Sequence, residues 1–457
     1  MDTSTKEKGE QIMATSREPD KISRREALRL IGLGGAAALL AATTGPALAA
    51  GRRAAPVLQE KPYAGLTMRM LSQGGSDYEP GLKQYALEFE DKTGAKIEFD
   101  WAPWESLMPK VQADIASGKP QFDMFTNDIE FQYTIYPNLL PINDFIKNAN
   151  YDMSGFFAPV AKYGEGIGGQ PGVRYGLPII VGVSVIFYRK DLIPTFPTTW
   201  ADYEQAMAAN TGNGKYGLAF AGVPAQLVKL FLARYWSQGD PLFTPDWKPL
   251  INSEKGVKAL SMLKDEMTKY SPPGILAWDN PDAANAFLNG DVAIQEGWGS
   301  FILPSLQDPS KSKVVDKWAI AGYPENGTGN FVQHNMVIFK TAQNPQAAFD
   351  YIAYCTGPDN AKRNLTEFKM VAARKTPWTD PDVVAQQPYL PDLAAVLDRG
   401  KPFSPNVPQW LELFIGLAEQ LSAAMAGKAE VKQALDNAAE KWTETIQQAP
   451  LSFPYTE

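Results

Sequence analysis

The chain has a single cysteine and a single histidine in 457 residues, and each scarcity excludes chemistry. Cys355 can form no disulfide within the chain. It ends Ala348 to Cys355, an apolar stretch at helical spacing, so the thiol is expected to be buried and inert. Zinc sites built on several His or Cys, and Ser–His–Asp or Cys–His nucleophiles, lose most of their parts when His334 stands alone. An excess of basic charge is also missing. The 43 Lys and Arg against 51 Asp and Glu leave a net charge of −8, and an acidic surface of mixed sign argues against a nucleic-acid partner. A membrane-spanning run is lacking too. The longest apolar stretch, Leu30 to Ala42, is interrupted by Gly32, Gly34 and Gly35 and falls short of the roughly 20 residues that cross a bilayer.

That stretch has another reading. Arg24-Arg25 precedes it, and Pro46 with Ala47-Leu48-Ala49 follows. Positive charge, apolar run and small-residue site in this order predict a secretory signal, removed after Ala49. The paired arginines resemble a twin-arginine export signal, with Ala27 where Phe is frequent. No Cys lies at the cleavage site, which argues against a lipid anchor. Cleavage leaves 408 residues, 457 less 49, enough for two domains. The leader has seven Lys/Arg and six Asp/Glu, so the remainder is near −9, the total of −8 less that +1.

What the sequence does hold is aromatic residues, 11 Trp and 18 Tyr. Aromatic faces suit sugars, whose C–H patches pack on rings while hydroxyls bond polar side chains; most rings are nonetheless expected in the core. Leu66 to Leu71 reads as a buried strand opening into Ser72-Gln73-Gly74-Gly75. Tyr85 to Glu90 has helical spacing closed by Gly94, and Ile97 to Trp101 alternates like a strand. Helix 105–117 and strand Phe122 to Thr126 complete a βαβαβ rhythm, the mark of a largely parallel sheet. Ligands of such sheets bind beyond the carboxyl ends of the strands. That rule selects Gln73 and Gly74 after the first strand and Asn127 and Asp128 after the third, although Asn127 and Asp128 also suit a helix cap or turn.

Further along, Gly176 to Tyr188 is apolar and β-branched, Asp291 to Gln295 reads as a strand ending at Glu296-Gly297-Trp298-Gly299, and Val332 to Phe339 is again strand-like. Leu393 to Gln448 is mostly amphipathic helix. The segments Phe89 to Glu98, Ala116 to Asp123, Ile186 to Leu192 with Pro197 to Trp200, Ala286 to Ile294, Asn344 to Ile352, and Ser404 to Trp410 with Gly427 to Leu435 occur in one order. In that order they resemble the extracellular solute-binding proteins of ABC importers, in their sugar-binding branch.

The resemblance implies an α/β, two-lobe periplasmic-binding-protein fold of type II, each lobe a mainly parallel sheet flanked by helices, joined by crossing hinge segments. Lobe 1 would comprise 62–183 and 336–370, lobe 2 184–335 and 371–457. A solute would be buried between them and presented to two permease subunits backed by a cytoplasmic ATPase, the protein itself being a periplasmic monomer without cofactor, metal or catalytic residue. It points to Trp298, Trp236 and Trp410 as aromatic contacts, and to Arg374 and Asn335 at crossings, each with a packing role as the alternative. Glu296 could accept hydroxyl hydrogen bonds or form a salt bridge. Trp104, after Ala102-Pro103, joins the candidates, while His334 is expected to pack in the core or hinge. Two rivals remain: the same fold holding a polyamine or other small polar solute, which Arg374 would repel if cationic, and a carbohydrate hydrolase using carboxylates among Asp123, Asp128, Glu130 and Glu296.

Overall fold

A computed structural model describes residues 61–325, 329–405 and 407–455; the expected leader, 1–49, lies outside them. The strands are Thr67–Gln73 (β1), Lys96–Ala102 (β2), Met124–Asp128 (β3), Gly176–Arg189 (β4), Tyr216–Phe220 (β5), Val292–Trp298 (β6), Trp318–Ala321 (β7), Asn330–Ile338 (β8) and Lys401–Pro402 (β9). The helices that position the site are Glu79–Thr93 (α1), Trp104–Ala116 (α2), Ile129–Ile135 (α3), Ala158–Tyr163 (α4), Trp200–Ala209 (α5), Pro224–Ser237 (α6), Glu254–Tyr270 (α7), Pro345–Thr356 (α8), Trp410–Met425 (α9) and Val431–Gln448 (α10).

The first third follows the expected rhythm. β1 pairs in parallel with both β2 and β3. Between β1 and β2, α1 carries Pro80 in its first turn, where a missing N–H costs little, and buries Leu82, Tyr85, Ala86 and Phe89 at helical spacing. It ends at Gly94, whose φ of 82° is left-handed and whose added Cβ would lie 2.8 Å from the Cα of Ala64. Backbone conformation and space both demand glycine there.

The strand order is β2-β1-β3-β8-β4-β6-β5, with β7 beside β4 and β9 beside β8. The sheet is mixed rather than mainly parallel in each half, because the crossing strands run antiparallel to their neighbours: β8 to β3 and β4, and β6 to β4. β4 belongs to both halves, pairing with β8 from Gly176 to Val183 and with β6 from Ser184 to Tyr188. A bulge between Pro178 and Ile180 inserts a residue and exchanges its faces. Leu177 and Ile179 therefore pack with Met336 and Met124, whereas Val181, Val183 and Val185 pack on the opposite side.

Three cores result. One joins β1 and β3 to α1 and α8 through Met70, Tyr85, Phe89, Met124 and Ile352. A second joins β5 and β6 to α5, α6, α7, α9 and α10 through Phe220, Phe231, Leu260, Ile294, Leu417 and Trp442. The third runs along the other face of both halves and includes Phe125, Val183, Phe287 and Phe331. Because side chains alternate along a strand, the first two cores share one face of the sheet. Between them lies the part of β4 and β8 around Gly182 to Ser184 and Asn330 to His334. This is the two-lobed, type II periplasmic-binding-protein architecture, and that stretch is where its lobes meet.

Candidate functional site

The crossing strands are buried along most of their length, yet Gly182, Val332 and His334 keep partial exposure on the face between the two cores. They form the floor of a cleft. Its first wall begins where β3 meets β8, in the pair Asp128 and His334. One carboxylate oxygen of Asp128 faces His334 Nε2 at 2.7 Å, and the other accepts a hydrogen bond from Trp104 Nε1. Burial opposes ionisation of Asp128, but the imidazole and these hydrogen bonds outweigh it and hold the carboxyl below its usual range. Burial likewise opposes a charged His334, and Asp128 outweighs it, so the imidazole is raised. The Tyr78 ring stands edge-on to His334 at 5.4 Å, its buried hydroxyl beside the hydroxyls of Ser72 and Ser76. Trp104 is 39% exposed, its ring 5.2 Å from Phe131.

Glu130, in the first turn of α3, is half-buried beside this pair. Burial raises its carboxyl to about 8, Asp128 adds to the rise, and its own backbone amide and His334 oppose it.

Trp298, at the end of β6, forms the opposite wall and is partly exposed. Its Nε1 donates to Gln226 Oε1 at 3.1 Å, and Lys229 Nζ lies 4.8 Å from its ring centroid. Lys229 is wholly buried, donating to Asn280 Oδ1 at 3.3 Å, while its carbonyl accepts from Asn330 Nδ2. Burial pushes its ammonium down to about 7, against the charges of Glu296 and Asp279. Gln73 closes β1 and Gly74 follows it, with Gly74 N–H donating to Ala102 O at 2.9 Å.

The other residues singled out from the sequence stand elsewhere. Asn127 and Asn335 face each other across β3 and β8, but alternation turns them to the sheet's opposite side, with Phe125 and Phe331. There Asn335 Nδ2 donates to Gln132 Oε1 at 2.8 Å, and Asn127 is fully buried with neither amide atom bonded. Glu296 is fully buried, its oxygens taken by Arg234, at 2.7 and 3.0 Å, and by the Tyr203 hydroxyl at 2.8 Å. Arg374 is held by the carbonyls of Thr356 and Asp152 at 2.7 and 2.8 Å, its guanidinium over Tyr151 and Phe156. Trp410 packs edge-on to Phe403 and Trp442 inside the helical core. Trp236 lines a separate cavity of about 390 Å³ with Tyr163, Lys401 and Ser404. Asp123 sits at the other end of β3 from Asp128, accepting from the backbone amides of Arg69 and Gln343. Asp128 and Glu130 are thus the neighbouring carboxyls that remain of the hydrolase set.

Tyr78, Gly182, Gln226 and Lys229 were not singled out from sequence. Gly182 lies inside a β-branched run and Lys229 inside an apolar helix, and a residue that breaks its own pattern is the signal each carried.

The sequence model of the family described as bacterial extracellular solute-binding protein matches residues 75–362. The chain belongs to that family. It is 25% identical over 377 residues, 80% of this chain and 86% of the relative, to a probable amino-acid ABC transporter periplasmic-binding protein of Sinorhizobium fredii. An ABC transporter solute-binding protein of Agrobacterium radiobacter, solved with ribitol, superposes with a TM-score of 0.72 at 24% identity, covering 84% of this chain and all of that one. The maltose-bound T. maritima MalE3 gives 0.72 at 21%, covering 83% and 99%. Among the described residues no helix is long and apolar enough to cross a membrane, and no group of three His, Cys, Asp or Glu is placed to hold a metal.

Proposed function

We propose that the chain is an exported receptor of an ABC importer that closes two lobes around a polyhydroxylated solute, a sugar, oligosaccharide or polyol. The observation that carries this reading is the pair of indole rings, Trp104 against Asp128 and Trp298 against Gly182, that keep exposure beside the crossing strands. Beside them stand carboxyls, an imidazole and an amide. Ring faces for C–H patches and two-way hydrogen-bonding groups for hydroxyls are what a sugar requires. The ribitol and maltose bound in structural neighbours support the same solute class.

In this reading the lobes are 62–183 with 336–370 and 184–335 with 371–457, closing by a hinge in β4 and β8. Contacts come from Gln73, Gly74, Trp104, Asp128 and Trp298. Asn127, Trp236, Glu296, Asn335, Arg374 and Trp410 act by holding the walls in shape. Residues 1–49 are the cleaved export signal, read by the twin-arginine route, and the mature monomer works in the periplasm with two permease subunits. It binds without altering its solute.

Calorimetric titration of the chain lacking residues 1–49 with sugars and polyols tests this. One chemical group should bind and be recovered unchanged. A solute recovered cleaved would replace the receptor with a hydrolase, and binding confined to amino acids would retain the fold and discard the solute class.

A further inference from the structure

Lys229 interrupts the run Leu227 to Ala233 of α6, which is otherwise apolar and buried throughout. The lysine has no exposed surface of its own. A methionine or leucine would fill that place without the cost of burying an ammonium. Among the described residues the ammonium donates to Asn280 Oδ1 at 3.3 Å and forms no ion pair. Asn280 is itself oriented, its Nδ2 donating to Asp279 Oδ1 at 3.0 Å, which leaves its oxygen turned to Lys229. The ammonium also stands over the Trp298 ring, 4.8 Å from Nζ to the centroid. That ring is held at its edge as well, by Gln226 one turn earlier on the same helix. Trp298 keeps partial exposure and Lys229 none, so the ammonium lies against the covered side of the ring. Toward the cleft floor the ring borders Gly182, where an added Cβ would lie 3.8 Å from Cε3.

We propose that Lys229 is a specificity-determining residue: its ammonium, set behind Trp298, makes the open side of the ring reject a cationic solute and accept an uncharged polyhydroxy one. This rests on the reading of the cleft as a polyhydroxy-solute site and narrows its substrate class to neutral compounds. A ring attracts cations through the negative charge of its faces, and Lys229 already draws on that charge. A solute cation on the open side would also stand roughly 9 Å from Nζ, where like charges at an effective dielectric of ~20 oppose one another enough for about tenfold in Kd. The C–H patches of a sugar meet no such opposition. Arg374, expected from the sequence to repel a cation, is turned away among Tyr151, Phe156 and Thr356, and Lys229 takes that part at the ring.

The charge that selects can be titrated. Burial pushes Lys229 down to about 7, against the charges of Glu296 on β6 and Asp279 at the start of helix Asn280–Leu288. Glu296 is in turn held by Tyr203 of α5 and by Arg234 of α6, which also binds Glu266 of α7. Below about pH 7 the ammonium is present and rejection is in force; above it the amine is neutral and rejection fades.

The test is calorimetric titration of the chain lacking residues 1–49 with ribitol, mannitol, sorbitol and maltitol at pH 6 and 8. Each is compared with its 1-amino-1-deoxy derivative, whose ammonium stays charged throughout. A parent that binds should do so about tenfold more tightly than its derivative at pH 6 and about twofold at pH 8. Lys229→Met should close most of the gap at pH 6 and change it little at pH 8, with its melting temperature reported to separate misfolding from lost selection. Whatever Glu130, Glu266 and His334 add to the profile persists in that variant, so the difference between the two proteins belongs to Lys229. A packing role alone would weaken parent and derivative equally and leave their ratio as in the wild type, which overturns the inference. A derivative that binds the wild type as well as its parent at pH 6 overturns it without any variant. Either result leaves the receptor reading standing, whereas failure of every compound to bind overturns both.

Discussion

The Arg234 cluster of the second lobe and the Asp128 wall of the first are built from the same groups and differ in how those groups are matched. In the second lobe Arg234 bridges Glu266, at 2.9 Å through Nε, and Glu296, at 2.7 Å through a terminal nitrogen, with Tyr203 donating to Glu296. All four side chains are buried. Burial disfavours the guanidinium's charge, but the two carboxylates more than restore it. On the first wall one carboxylate is matched, and its neighbour Glu130 meets no side-chain donor among the described residues. Matched buried charge maintains shape, whereas unmatched groups at a cleft are what a ligand completes.

The largest expected effect attacks the matched cluster. Arg234→Met leaves Glu266 and Glu296 buried against one another, a loss of about 3–5 kcal/mol and of order 10 °C in melting temperature. Adding Glu266→Gln should recover part of that loss, since the two positions share one interaction. Thermal unfolding reads both. If Arg234→Met weakened solute binding without lowering stability, the cluster would belong to the site and the comparison would fail.

Next in size is Trp298→Ala on the second wall. If the proposed receptor reading holds, removing this half-exposed ring should cost about 2 kcal/mol of binding, roughly thirtyfold in Kd. Ligand-free stability should change far less, because the ring is not enclosed by the core. Equal losses of stability and affinity would make Trp298 a packing residue like Trp410.

The opening βαβαβ and the crossing strands were legible because their signals are local: alternation, helical spacing and a terminating Gly94 lie within a few residues of each other. The place of Trp298, at a strand end between glycines, was legible for the same reason. Glu296, two residues earlier on the same strand, carried an identical signal, and what distinguishes it is Arg234, 62 positions away. His334 and Asn335 show the other limit. They are adjacent and both polar, and an amide looked the better contact, but the register that sets Asp128 opposite His334 decides which of them faces the cleft. Pairing register between segments some 200 residues apart is a property of the assembled sheet. The bulge at Pro178 is equally tertiary, and it determines which face Gly182 presents.

The smallest expected effect compares the two clusters by their protons. Glu130 and Glu266 are raised to about 8 and about 7, chiefly by burial, whereas unfolded glutamates titrate near ~4.3. From about pH 5 upward the folded chain therefore holds protons that the unfolded chain has lost, and each group withdraws stability as pH rises toward its folded value. His334, also raised, acts in the same direction, its stabilisation complete below ~6.5 and lost as pH passes its folded value. Lys229, lowered to about 7 by burial, acts oppositely, because above that point the unfolded chain binds the extra proton. The ligand-free melting temperature should fall by a few degrees between about pH 5 and 7 and level off beyond. Glu130→Gln and Glu266→Gln should each flatten that slope. A slope removed by Glu266→Gln alone would mean that Glu130 is already ionised, and that the proton held near neutral pH belongs to the second lobe's network.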